Sequence, residues 1–146
     1  MSPTATAFSM RIIGVISIIT AVLFALAGVN DFTGANDIFF NLASSGTEGV
    51  AGLTTPESKL AMAIAGGVFG GLGAMYLFIS APGIEQGSSL IRKGSIYVFL
   101  TWFVIDSGAS IASGNAANVI PNLVFLVVYL APLLLVKQTE AATASV

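Results

Sequence analysis

The sequence predicts an all-α membrane protein: a bundle of four transmembrane helices forming one domain over residues 1–146. Three observations lead there. Apolar residues make up 55% of the chain and charged residues only 8%, where a soluble domain carries roughly 25% charged. Mean hydropathy is +0.94. Four apolar stretches approach or reach the roughly 20 residues that a helix needs to cross a hydrocarbon core about 30 Å thick. Helices are expected because lipid offers no hydrogen bonds to an exposed backbone.

Span one is expected at about 11–29, "RIIGVISIITAVLFALAGV". Arg11, the apolar run after it and "ALA" at 25–27 also fit a secretory signal and its cleavage site. The long, barely basic stretch before Arg11 favours a retained span. A loop at 30–56 follows, in which "NDIFFNLA" reads as a short helix lying on the membrane surface. Span two, about 57–80, begins behind Thr55 as N-cap and Pro56 at the first helical position, where a missing N–H costs nothing. "APG" at 81–83 is expected to stop it. Span three covers about 94–113 and closes at Gly114, which can turn left-handed. Span four covers about 118–136, with Asn118 as N-cap, Pro121 in the first turn and Pro132 as an internal kink.

Orientation follows from the basic residues. Arg11, Arg92, Lys93 and Lys137 fall on one side of this arrangement and Lys59 on the other, which predicts cytoplasmic N- and C-termini in a bacterial inner membrane. The 30–56 loop, with Asp31, Asp37 and Glu48, is then outside.

The absent residues narrow the chemistry. There is no cysteine and no histidine. Thiolate chemistry, the usual haem ligand and the commonest general base are therefore ruled out. No cofactor or metal is expected, and a net charge of −2 with no basic cluster gives nucleic acid nothing to bind.

Small residues form rows suited to close helix packing in lipid. Gly66 pairs with Gly70, and Gly67 with Gly71, with Ala63 and Ala74 extending the rows. Span one offers Gly14, Ser17, Ala21, Ala25 and Gly28 in return. The rows serve an intrachain contact between spans one and two, or one of them serves a homo-oligomer or a larger membrane complex.

Spans three and four carry a polar seam. Asp106, Ser110 and Ser113 share one face, and Asn115, Asn118 and Asn122 another, with Tyr129 continuing it. Asn115 and Asn118 read as caps and turns. Asp106 reads as lying near the middle of span three, where an aspartate costs roughly 2.5–3.5 kcal/mol. No Lys or Arg lies inside a span beside it, so it is protonated, held by Ser and Asn donors, or open to a water-filled cavity. Asn122 falls at a similar depth. Trp102, Phe103, Phe99, Phe125 and Tyr129 surround the position, as bundle core or as the wall of a cavity for a lipophilic amine or a quinone-like headgroup.

"RIIGVISIITAVLFALAG", "GGVFGGLGAMYLF" and "RKG" before a span with an acidic residue and a short polar turn resemble the small four-helix bacterial membrane proteins of the DoxX-like group. The resemblance covers most of the chain and implies a four-helix bundle; it carries over no functional residues. Two functions are then expected to compete. One is a non-enzymatic accessory or scaffold bundle that self-associates or joins a larger complex. The other is a small carrier or channel that handles a proton, a cation or a lipophilic solute at Asp106, with Ser110, Asn122, Trp102 and Tyr129. An enzyme would need a nucleophile and a base, and only Asp106 and scattered serines stand inside the spans.

Overall fold

The computed structural model describes residues 1–44 and 49–137. Glu48 and the chain's C-terminal end lie outside the described residues. Among the described residues every regular element is a helix, and four helices are long and apolar enough to cross a membrane. It is a multi-pass membrane protein.

Helix α1 runs Pro3–Leu26, well before its expected start. The start signal is Ser2, whose side chain accepts from the Ala5 amide, followed by Pro3 at the first helical position. Thr6, Ala7 and Met10 are fully buried, so the early turns belong to the core. Arg11 therefore stands about 12 Å into the helix, and its guanidinium pairs with Glu85. It does not mark a helix end.

Helix α2, Ala35–Ala43, is the short helix expected in the loop. It docks on the bundle end through Phe39 against Phe24, with ring centroids 4.8 Å apart. Asn36, almost wholly buried, donates to the Leu23 carbonyl at 3.0 Å. Asp31 caps the helix from outside: Oδ1 accepts from the Asn36 side chain at 2.9 Å and Oδ2 from the Asp37 amide at 3.0 Å. Partial desolvation pushes the Asp31 carboxyl up. The hydrogen bonds from Asn36, Asp37 and Thr33 outweigh it and hold the group below the ordinary aspartate range.

Helix α3, Pro56–Met75, opens with the expected Thr55 cap, which Ser58 reciprocates in a capping box. The "APG" segment does not stop it. A wide π-turn at Tyr76–Ser80 carries the chain into α4, Ala81–Glu85, so the span is continuous from Pro56 to Glu85. Pro82 has no N–H to donate back and its ring would crowd the preceding turn; widening that turn makes room for it. The stop comes at Gly87, with φ +75°, where the Ser88 amide reaches back to the Gly83 carbonyl at 2.8 Å.

Helix α5, Ser89–Ala112, also begins ahead of its expected start, on a Ser88 cap. It ends as expected at Gly114, with φ +83°. There the Asn115 amide bonds the Ser110 carbonyl at 2.8 Å and the Gly114 amide the Ile111 carbonyl at 3.1 Å, the double clasp of a Schellman turn. A single 3₁₀ turn, Ala116–Asn118, leads into α6, Val119–Leu135, which passes through Pro132.

The tightest seam joins α1 to α3. A Cβ on Gly66 would lie 2.6 Å from the Ala21 carbonyl oxygen and 2.7 Å from the Ala25 Cβ, and one on Gly73 would lie 2.9 Å from the Ser17 Cβ. Gly70 grazes the Ala21 Cβ at 3.3 Å. Gly67 and Gly71 have nothing within 4 Å. The row expected at Gly67 and Gly71 therefore has no intrachain partner among the described residues. Only the glycines at positions 66, 70 and 73 face α1, because that spacing matches the helical period.

At mid-bundle, Phe99 and Tyr129 stack 4.1 Å apart and Tyr76 meets both edge-on. Beyond this layer the helices are clipped at the terminal end. Ser80 bonds Ser95 at 2.8 Å, Arg92 Nε donates to the Leu133 carbonyl at 2.6 Å and the Lys137 amide to the Met1 carbonyl at 3.0 Å. Toward the α2 end the backbones of α3 and α5 stay apart.

Candidate functional site

The gap between α3 and α5 is a cleft of about 1230 Å³. Its α3 wall sets the small side chains of Ala61 and Ala65 among Met62, Val68, Phe69 and Leu72; its α5 wall includes Tyr97, Trp102 and Ile105. Phe125 of α6 and Phe24 of α1 lie at the back, and Phe39 and Phe40 of α2 close the end. The lining is apolar along most of its length.

One end is polar. Asp106, half-buried, accepts three hydrogen bonds on Oδ1: from Asn122 Nδ2 at 2.7 Å, Asn118 Nδ2 at 3.0 Å and Ser110 Oγ at 3.4 Å. Asn118 Nδ2 also donates to Ser110 Oγ at 2.9 Å, and Asn122 Nδ2 to Ser107 Oγ at 3.3 Å. The Gly114 turn makes this possible. It folds α6 back antiparallel against α5, so that residues on either side of the turn meet at equal depth. No Lys or Arg lines the cleft.

Of the residues singled out in the sequence, Asp106, Ser110, Asn122 and Trp102 all line this cleft. Tyr129 does not: it is 1% exposed, stacked on Phe99, and its hydroxyl bonds Ser17. It is core, because two helical turns below Asn122 the seam has already passed inside the bundle. Asp106 is also shallower than expected. Since α5 ends at Ala112, the carboxylate lies about 9 Å from that helix end. Ser113 and Asn115 remain in the turn, bonding each other and the Ser110 carbonyl.

Asn118 corrects the cap reading. Its side chain makes no capping bond and goes to Asp106 and Ser110 instead. A carboxylate is the stronger acceptor for its amide, and the 3₁₀ turn ahead of α6 already aims it inward. Ser107 was missed as well; it is buried and gives Asn122 a second acceptor. The i,i+4 spacing of Asn118 and Asn122 was the available signal for the first. None marked Ser107. Compared with known proteins, the chain matches no protein-family model, no curated protein and no solved structure.

Proposed function

We propose that this chain is a non-enzymatic binding protein or carrier of the bacterial inner membrane, which takes an amphiphilic small molecule from the bilayer into the α3–α5 cleft. The observation that carries the reading is a membrane-depth cleft of about 1230 Å³ whose apolar walls end at Asp106, Asn118 and Asn122. A carboxylate sealed between helices would serve packing alone; one facing a wide aromatic cleft serves a ligand. The basic residues Arg11, Arg92, Lys93 and Lys137 belong to the clipped end and Lys59 to the cleft end, which favours cytoplasmic termini and a cleft toward the outer leaflet. A reporter fused after Val146 tests this, and activity on the outer side would reverse the orientation.

Trp102 is the single tryptophan and lines the cleft. In lipid nanodiscs, a brominated long-chain alcohol should quench its fluorescence with saturation at low mole fraction. Ala65→Phe, which puts a bulky ring into the cleft, should reduce the saturable part. Quenching that only rises linearly in both proteins refutes the site.

A second reading is favoured by Gly67 and Gly71, which have nothing within 4 Å. It is an accessory bundle that self-associates or joins a larger membrane complex through that face.

A further inference from the structure

We infer that the ligand's head is a hydrogen-bond donor: a primary amine in its ammonium form, carried on an alkyl or aryl tail. This rests on reading the cleft as an amphiphile site. The argument is an account of donors and acceptors around Asp106. A carboxamide has two N–H donors. Asn122 directs its nitrogen at Asp106 Oδ1 and Ser107 Oγ, and Asn118 at Asp106 Oδ1 and Ser110 Oγ. All four donors are engaged within the protein. The Ser110 hydroxyl is also turned onto Asp106.

What remains is acceptors. Among the described residues, Asp106 Oδ2 and Asn122 Oδ1 receive no hydrogen bond, and Asn118 Oδ1 is buried without a donor. With Asp106 ionised, flipping either amide would set its oxygen about 3 Å from a carboxylate oxygen. The polar end therefore offers oxygen lone pairs and one acidic group, with no Lys or Arg lining the cleft to answer it.

This discriminates among headgroups. A quinone carbonyl only accepts, and at the Asp106 end it would meet oxygens; the hydroxyls that could donate to it, on Tyr97 and Thr101, lie further along α5. A carboxylate or phosphate head would also be repelled by Asp106. An ammonium supplies up to three N–H donors and the compensating charge, and charge-assisted bonds are the strong ones. Trp102, one turn below Asp106 on the same face, adds an aromatic surface for the carbons next to the nitrogen.

The test is competition against the brominated alcohol at Trp102 in nanodiscs. Dodecylamine should displace it at a mole fraction at least about tenfold below that of dodecanol. Dodecanoic acid should do no better than dodecanol. Dodecyltrimethylammonium, charged but without N–H donors, should fall below dodecylamine. In Asp106→Asn the amine should lose its advantage over dodecanol. Equal displacement by amine and alcohol, or preference for the acid, would overturn the inference and leave the amphiphile site standing. The three charged probes, compared with dodecanol on the parent protein, decide the question if the variant does not fold. Absence of any saturable quenching strikes the site itself.

Discussion

Helix α3 shows small side chains to two neighbours, and the two sides behave in opposite ways. Toward α1, Gly66, Gly70 and Gly73 meet Ser17, Ala21 and Ala25 so closely that backbones touch. Toward α5, Ala61 and Ala65 face a cleft. Small residues alone therefore do not set helix separation. On the first side both partners are small and packing closes the gap. On the second, α5 offers Tyr97 and Trp102, and its backbone approaches this span only from the Tyr76–Ser80 segment onward.

Breaking the closed side should have the largest effect. Gly66→Leu forces a side chain into the Ala21 and Ala25 backbone, and overpacking costs typically about 1–3 kcal/mol, more where backbone must move. Gly71→Leu, in open space, should stay within about 0.5 kcal/mol of the parent. Thermal or denaturant unfolding in mild detergent measures both, and equal losses would erase the distinction between the rows.

Next comes the polar end of the open side. Asp106→Leu removes the acceptor shared by Asn118, Asn122 and Ser110, at a cost of about 1–3 kcal/mol. Asp106→Asn, which keeps an oxygen there, should lose less than Asp106→Leu in the same unfolding assay. Crowding the cleft should matter less still. Ala65→Phe should change stability by less than about 1 kcal/mol while shifting Trp102 emission to the blue, and a large loss would mean the gap is already packed.

The smallest effect concerns α2, which closes the cleft's end. The Asp31 carboxyl is held below its ordinary range, so it binds protons more weakly folded than unfolded. Its contribution to docking α2 is complete above the ordinary aspartate range and is lost as pH falls through its depressed value. Amide exchange over residues 35–43 should quicken only at strongly acidic pH, and Asp31→Asn should remove that dependence.

The spans, the short helix in the loop, the Thr55 cap and the Gly114 turn were legible because each rests on local chemistry. The early start of α1 was hidden because residues 4–10 mix Thr and Ser among their apolar side chains, and only tertiary burial of Thr6, Ala7 and Met10 makes them core. Which glycine row faces α1 depends on helix rotation, which an all-apolar helix does not encode in its periodicity. Asp106, Ser110 and Asn122 were found because polar residues in lipid are conspicuous. The cleft was not, since its walls are alanines, aromatics and aliphatic side chains like any bundle core.

The π-turn at Tyr76–Ser80 has a consequence for phase. A π-turn is an α-turn with one residue inserted, and each residue of an α-helix advances the face by about 100°. Everything after Ser80 is thereby rotated relative to α3. That rotation brings Gly83 against Ile91 and Glu85 to Arg11. Deleting one residue there would shorten the chain trivially, yet it would turn the last helical segment to a wrong azimuth and unfasten the terminal end of the bundle. The irregular turn works as an indexing step, letting one helix follow two different neighbours along its length.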